Sequence, residues 1–229
     1  KAYRNSFAKL LEAHPWQLLI LGGPTGCGKT EVLHQLQRME QQVIDLEGLA
    51  HHKGSAFGSL GETAQPTTEQ FTNQLHALMR TFNPARPVWC EGESASIGKV
   101  VIPSAFYALM LSAPFLNLEI PYQERIRHIL NDYGTFQPDE LIFSFRKIEK
   151  RLGGEATRKA IECVEQNNLE SAVCIALNYY DKGYRRSSGK QWPNQIPCLW
   201  DDSDPAVIAR KLLALYENGC NVGIEQVQQ

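Results

Sequence analysis

Eight consecutive residues, Gly23-Pro24-Thr25-Gly26-Cys27-Gly28-Lys29-Thr30, carry the clearest chemistry in the chain. Glycines, a lysine and a hydroxyl at this spacing make a phosphate-binding loop. The glycines let backbone N–H groups converge on phosphate oxygens without a Cβ in the way, and a helix starting at the loop's end adds partial positive charge. Lys29 adds a mobile full charge, and Thr30 offers its hydroxyl to a Mg²⁺. Gly23, Thr25, Gly26, Cys27, Gly28, Lys29 and Thr30 are therefore the expected phosphate-binding set. Cys27 admits a second reading, in which the helix N-terminus lowers its thiol pKa and makes it a nucleophile. The plainer reading, a small residue at a position that takes any small side chain, is preferred.

Further chemistry clusters nearby in sequence. Asp45 and Glu47 precede the pair His51-His52 and Lys53, so acids, imidazoles and a cation crowd a few residues. Imidazole is the side chain most easily tuned near neutral pH, which makes His52 a candidate acid or base beside Asp45 and Glu47, against the plainer role of a hydrogen-bonding loop histidine. Glu91 ends an apolar run, where phosphate-loop proteins place the carboxylate that organises Mg²⁺. Thr30 and Glu91 are the expected metal ligands, and Lys53 is a further phosphate contact.

Positioning these groups requires a sheet. Apolar runs at residues 16–21, 42–46, 87–91, 115–120 and 196–200 read as strands, with Asp45 and Glu91 at C-terminal ends, the edge where open α/β sheets bind ligands. Between them, helical periodicity appears over 31–40, from Thr67 through Phe82 with Gln70 completing a capping box, over 103–111, 121–133 and 204–217. Residues 47–58 read as a polar, glycine-rich loop, and Phe7, Leu10 and Leu11 as one face of a leading helix. Strands alternating with helices predict an α/β fold: a phosphate-loop nucleoside-triphosphatase-like parallel sheet with helices on both faces. The rhythm breaks over 139–177, which reads as two or three helices. The expected organisation is a first core part at 1–138, a helical insertion at 139–190, and the end of the core at 191–229.

Two basic groups mark that insertion: Arg146, Lys147, Lys150 and Arg151 on a helical stretch, and Lys182, Arg185, Arg186 and Lys190 in what reads as a loop, interleaved with Tyr179, Tyr180 and Tyr184. Cations that neutralise phosphates, with aromatics to stack on bases, are the vocabulary of RNA binding; a solvated helix face is the bland alternative. The 229 residues, 43% hydrophobic with a formal charge of −2, hold one substantial core and exclude a disordered chain. Six cysteines without CxxC or zinc spacing suit reduced thiols, and no apolar stretch reaches membrane-span length, so a soluble cytoplasmic protein is expected.

Taken together, the loop at 23–30, the segment Asp45-Leu46-Glu47-Gly48-Leu49-Ala50-His51-His52-Lys53-Gly54-Ser55-Ala56-Phe57-Gly58, Glu91-Gly92-Glu93-Ser94 with Ile97-Gly98, and Tyr179-Tyr180-Asp181 with Tyr184 resemble the phosphate-loop domain of bacterial tRNA 2-selenouridine synthases. The middle segment is the most specific. The chain departs from that family's pattern at Gly92, Ala95 and Lys53, where Asp, Arg and Arg are frequent; Lys53 keeps the charge but not the bidentate geometry.

The resemblance implies conversion of wobble 2-thiouridine to 2-selenouridine in tRNA through an S-geranyl intermediate, with geranyl diphosphate and selenophosphate as substrates. It implies tRNA as partner, with Arg146, Lys147, Lys150, Arg151, Tyr184, Arg185 and Arg186 as the RNA-binding candidates, and Phe57 as shelter for the prenyl chain. It also implies a rhodanese-like domain with a catalytic cysteine ahead of this one, and a monomer is the working expectation. Two alternatives remain. A small-molecule kinase would use ATP, and a non-catalytic tRNA-docking module would tolerate Lys29→Ala.

Overall fold

The computed structural model describes residues 2–193 and 195–219. In chain order the elements are α1 (Ala2–Glu12), β1 (Leu18–Gly22), α2 (Lys29–Arg38), β2 (Gln42–Ile44), α3 (Leu46–Ala50), α4 (Thr68–Met79), β3 (Val88–Glu91), β4 (Ser96–Ile97), β5 (Val100–Val101), α5 (Ser104–Ser112), β6 (Phe115–Glu119), α6 (Tyr122–Tyr133), α7 (Pro138–Lys147), α8 (Glu149–Leu152), α9 (Gly154–Glu165), α10 (Leu169–Gln191), β7 (Gln195–Leu199) and α11 (Pro205–Glu217). Five strands pair in the order β2-β3-β1-β6-β7, every pair parallel.

Both faces of the sheet are covered, as near-continuous apolar strands require. Leu18 and Ile20 of β1 pack with Phe7, Phe71 and Phe106 on one side. Leu19 and Leu21 face the other way, onto Val32, Leu33, Leu36, Ile208 and Leu212 of α2 and α11. The expected α/β architecture is present. Thr67 and Gln70 form the anticipated capping box on α4.

Three local expectations are corrected. The second strand ends at Ile44, and the segment after it is not all loop, because Asp45 accepts from the Gly48 N–H at 2.6 Å and nucleates α3. Lys182, Arg185, Arg186 and Lys190 lie on α10 rather than in a loop. Gly183 and Gly189 each cost a helix about 1 kcal/mol, but packing and side-chain anchors hold the helix through both. The insertion holds four helices, α7 to α10, instead of two or three. A short antiparallel hairpin, β4 with β5, was not expected at all.

The insertion has its own core. Leu141, Phe145, Ile148, Ala160, Val164 and Ala172 are buried together with Phe57 and Leu60, which arrive from the segment after α3. Each buried leucine, valine or phenylalanine is worth roughly 1.5–3 kcal/mol, so this cluster fastens the 57–60 loop to the insertion and closes one wall of a cleft. Among the described residues, no helix is long and apolar enough to cross a membrane. Cys220 lies outside the described residues; Cys27, Cys90, Cys163 and Cys174 are free thiols.

Candidate functional site

The segments that follow β1, β2 and β3 converge on a cleft of about 1060 Å³. Its floor is the loop after β1. Gly26 and Gly28 sit at φ of 81° and 78°, and a Cβ on Gly26 would come within 2.9 Å of the Arg125 carbonyl, so this backbone path is open to glycine. Gly28 is the N-cap of α2, whose N-terminus faces the cleft's polar end. Lys29 folds back to donate to the Gly23 carbonyl at 3.3 Å. Burial works against its charge, but Cys27 and the acids Glu47, Glu93 and Glu91 outweigh that, and its pKa is raised.

Those acids stack behind the lysine. The Thr30 hydroxyl donates to Glu91 Oε1 at 2.9 Å and lies 3.5 Å from Glu47 Oε2, while the Glu47 N–H donates to Glu91 Oε2 at 3.0 Å. Glu91 is fully buried, and burial, then Glu47 and Asp45, push its pKa well above the carboxylate range. Burial first, then neighbouring acids, raise Glu47 to about 8 and Glu93 to about 7. A hydroxyl with two carboxylates in reach is the hard-oxygen set that Mg²⁺ takes, and the Thr30, Glu47 and Glu91 oxygens fit it.

The remaining expected residues divide. Asp45 lines the cleft but is occupied, capping α3 and meeting His34 Nε2 at 3.0 Å. Lys53 lines it too, 3.9 Å from Asp132 and above the Tyr133 ring. His52 does not line the cleft; burial, then Lys147, lower its pKa. Cys27 is buried under the loop, where burial raises its thiol pKa, which removes the activated-nucleophile reading. Its N–H turns inward to the Pro24 carbonyl at 3.2 Å.

Of the basic residues, Arg151 and Arg186 line the cleft with Lys182, and Tyr184 donates to Asn117 Oδ1 at 2.6 Å. Arg146, Lys147, Lys150 and Arg185 are exposed outside it. The far end is apolar, walled by Phe57, Leu141, Phe145, Val164, Ala172 and Val173. Sequence reading missed Glu93, whose signal was a second acid two residues after Glu91. It also missed Arg125 and His128, which hold the loop from α6.

A family model described as the tRNA 2-selenouridine synthase AAA domain matches residues 16–197. The chain belongs to this family. The tRNA 2-selenouridine synthase of Shewanella loihica is 36% identical over 211 residues, covering 79% of this chain and 55% of that protein. The synthase of Shewanella frigidimarina is 39% identical, covering 88% and 57%, and that of Shewanella sediminis 43% identical, covering 78% and 50%. The chain thus spans about half the length of the tRNA 2-selenouridine synthases it matches. Among solved structures, a shikimate kinase from Acinetobacter baumannii aligns over 92% of this chain and 98% of its own at 15% identity and a TM-score of 0.40. Membership in the synthase family rests on the sequence matches alone.

Proposed function

We propose that the cleft binds geranyl diphosphate, and that this domain carries out geranyl transfer to a tRNA 2-thiouridine on the way to 2-selenouridine. The observation that carries the reading is the cleft's two-ended character: an anion-binding loop with Lys29 at one end and an apolar wall of Phe57, Leu141, Phe145 and Val173 at the other. A diphosphate joined to a ten-carbon chain needs both. Family membership supports a role in tRNA selenouridine modification; the prenyl ligand is our inference from cleft chemistry and family resemblance.

In that reaction the thiocarbonyl sulfur attacks C1 of the allylic chain, the C1–O bond breaks, the diphosphate leaves with the electron pair, and the base loses its N3 proton to water to give the neutral S-geranyl product. The protein's part is electrostatic. Lys29 and the loop N–H groups meet the negative charge that builds on the bridging oxygen. When bound through Thr30, Glu47 and Glu91, Mg²⁺ supplies further charge stabilisation for the same oxygens. The apolar wall holds the chain and keeps water away from C1. Arg151, Lys182 and Arg186 at the cleft, with Arg146, Lys147, Lys150 and Arg185 outside, offer cations for the tRNA backbone. Selenophosphate and a rhodanese-like domain complete the conversion in this proposal.

Calorimetry with geranyl diphosphate, with ATP as competitor, tests it. Binding that Lys29→Ala removes and ATP barely displaces is the expected result. ATP binding without geranyl diphosphate binding would overturn it in favour of a kinase.

A further inference from the structure

Two carbonyls of the phosphate loop are held from outside by α6. Arg125 Nε donates to the Thr25 carbonyl at 2.8 Å, and His128 Nδ1 lies 3.1 Å from the Gly26 carbonyl. An anion site needs its carbonyls turned away and its N–H groups turned in. Because the trans peptide is planar, fixing the Thr25 carbonyl toward α6 aims the Gly26 N–H in the opposite direction.

Arg125 is buried, and its fork is completed by an acid from another part of the chain. Nη1 donates to Asp181 Oδ2 at 3.1 Å and Nη2 to Asp181 Oδ1 at 2.5 Å, a bidentate pair. Without Asp181, the guanidinium would be a buried charge lacking its counter-ion and free to leave the Thr25 carbonyl. Asp181 belongs to α10, and two more residues of that helix reach the same region. Tyr180 OH accepts from the Ala56 N–H at 3.2 Å, and Tyr184 OH donates to Asn117 in the middle of β6.

We propose that Asp181, acting through Arg125, is a positioning residue for the phosphate loop, so that α10 sets the loop's anion-binding shape from outside the sheet. This rests on the reading of the loop as a diphosphate site. The basic side chains of α10, among them Lys182 and Arg186 at the cleft, thus sit on the helix whose placement fixes the loop.

The test compares the chain with its Asp181→Asn and Asp181→Glu variants by amide hydrogen exchange and by calorimetry with inorganic pyrophosphate. For Asp181→Asn we expect faster exchange in residues 24–28 than in β1 or α10, and pyrophosphate binding weakened roughly tenfold, the usual size of coupling between two sites. Asp181→Glu, which keeps the charge, restores most of both. Wild-type exchange at 24–28 in Asp181→Asn would overturn the proposal, as would a rise spread evenly over the chain that Asp181→Glu does not reverse. If the unaltered chain fails to bind pyrophosphate, the diphosphate reading falls, and the exchange pattern still decides the role of Asp181.

Discussion

The Thr30 hydroxyl and Glu91 Oε1 lie 2.9 Å apart, joining the first residues of α2 to the end of β3 across 61 positions of sequence. With the Glu47 N–H on its other oxygen, Glu91 is held at both ends. Glu91→Gln keeps the side chain's size and removes the carboxyl group that would ionise on binding Mg²⁺. We expect pyrophosphate binding to lose its dependence on Mg²⁺, measured by titration with and without the cation, while metal-free affinity stays within a few-fold.

Lys29 rests on the Gly23 carbonyl and is ringed by acids. Lys29→Ala is expected to weaken pyrophosphate binding by about 30-fold, or about 2 kcal/mol, the scale of a charge-assisted hydrogen bond. Lys29→Arg should recover little of it, because the planar fork does not fit a site shaped for an ammonium. Calorimetry reads both.

The raised pKa values of Glu47 and Glu93 make stability depend on pH in a defined direction. Burial and neighbouring acids lift them to about 8 and about 7 from an ordinary 4.5. Their contribution is therefore fully present below the ordinary carboxylate value and is lost as pH rises through about 7 to 8, because the folded state must then ionise acids that the unfolded chain ionised already. Urea midpoints should fall from pH 5.5 to pH 8. Glu93→Gln should flatten that fall by about 1–2 kcal/mol.

Gly22 closes β1 just before the loop. A Cβ there would run into the Phe115 ring, which is itself stacked on Trp192 at 4.3 Å and has no room to retreat. Gly22→Ala should destabilise by about 2–3 kcal/mol through overpacking, with Phe115→Leu restoring part of the loss. Thermal melts of the single and double variants check this.

The sheet, its flanking helices and the phosphate loop were legible in the sequence because each is written locally, as apolar runs, helical periodicity or a fixed spacing of glycines. What escaped is written at a distance. Arg125 and Asp181 stand 56 positions apart and look like ordinary charges on two helices until the fold pairs them. Asp45, read from its place at a strand end, turned out to cap a one-turn helix, a local role its neighbours Leu46 and Glu47 did not betray. The misreading of residues 178–190 has a plain cause: two glycines and a dense run of charge imitate a loop, and only long-range anchors such as Tyr184 to Asn117 reveal the helix. The two-residue strands β4 and β5 are too short to show any period.

The pairing of β6 with β7 carries a last consequence, for the order in which the molecule assembles. The two strands are neighbours in the sheet, yet all of α6 to α10 lies between them in the chain. Closing so long a loop is entropically costly, and such non-local pairings form slowly. The strand that borders β6 is thus expected to dock late, after the insertion has gathered around its own apolar cluster. Refolding followed by Trp192 and Trp200 fluorescence, which flank β7, should lag behind helix formation followed by circular dichroism.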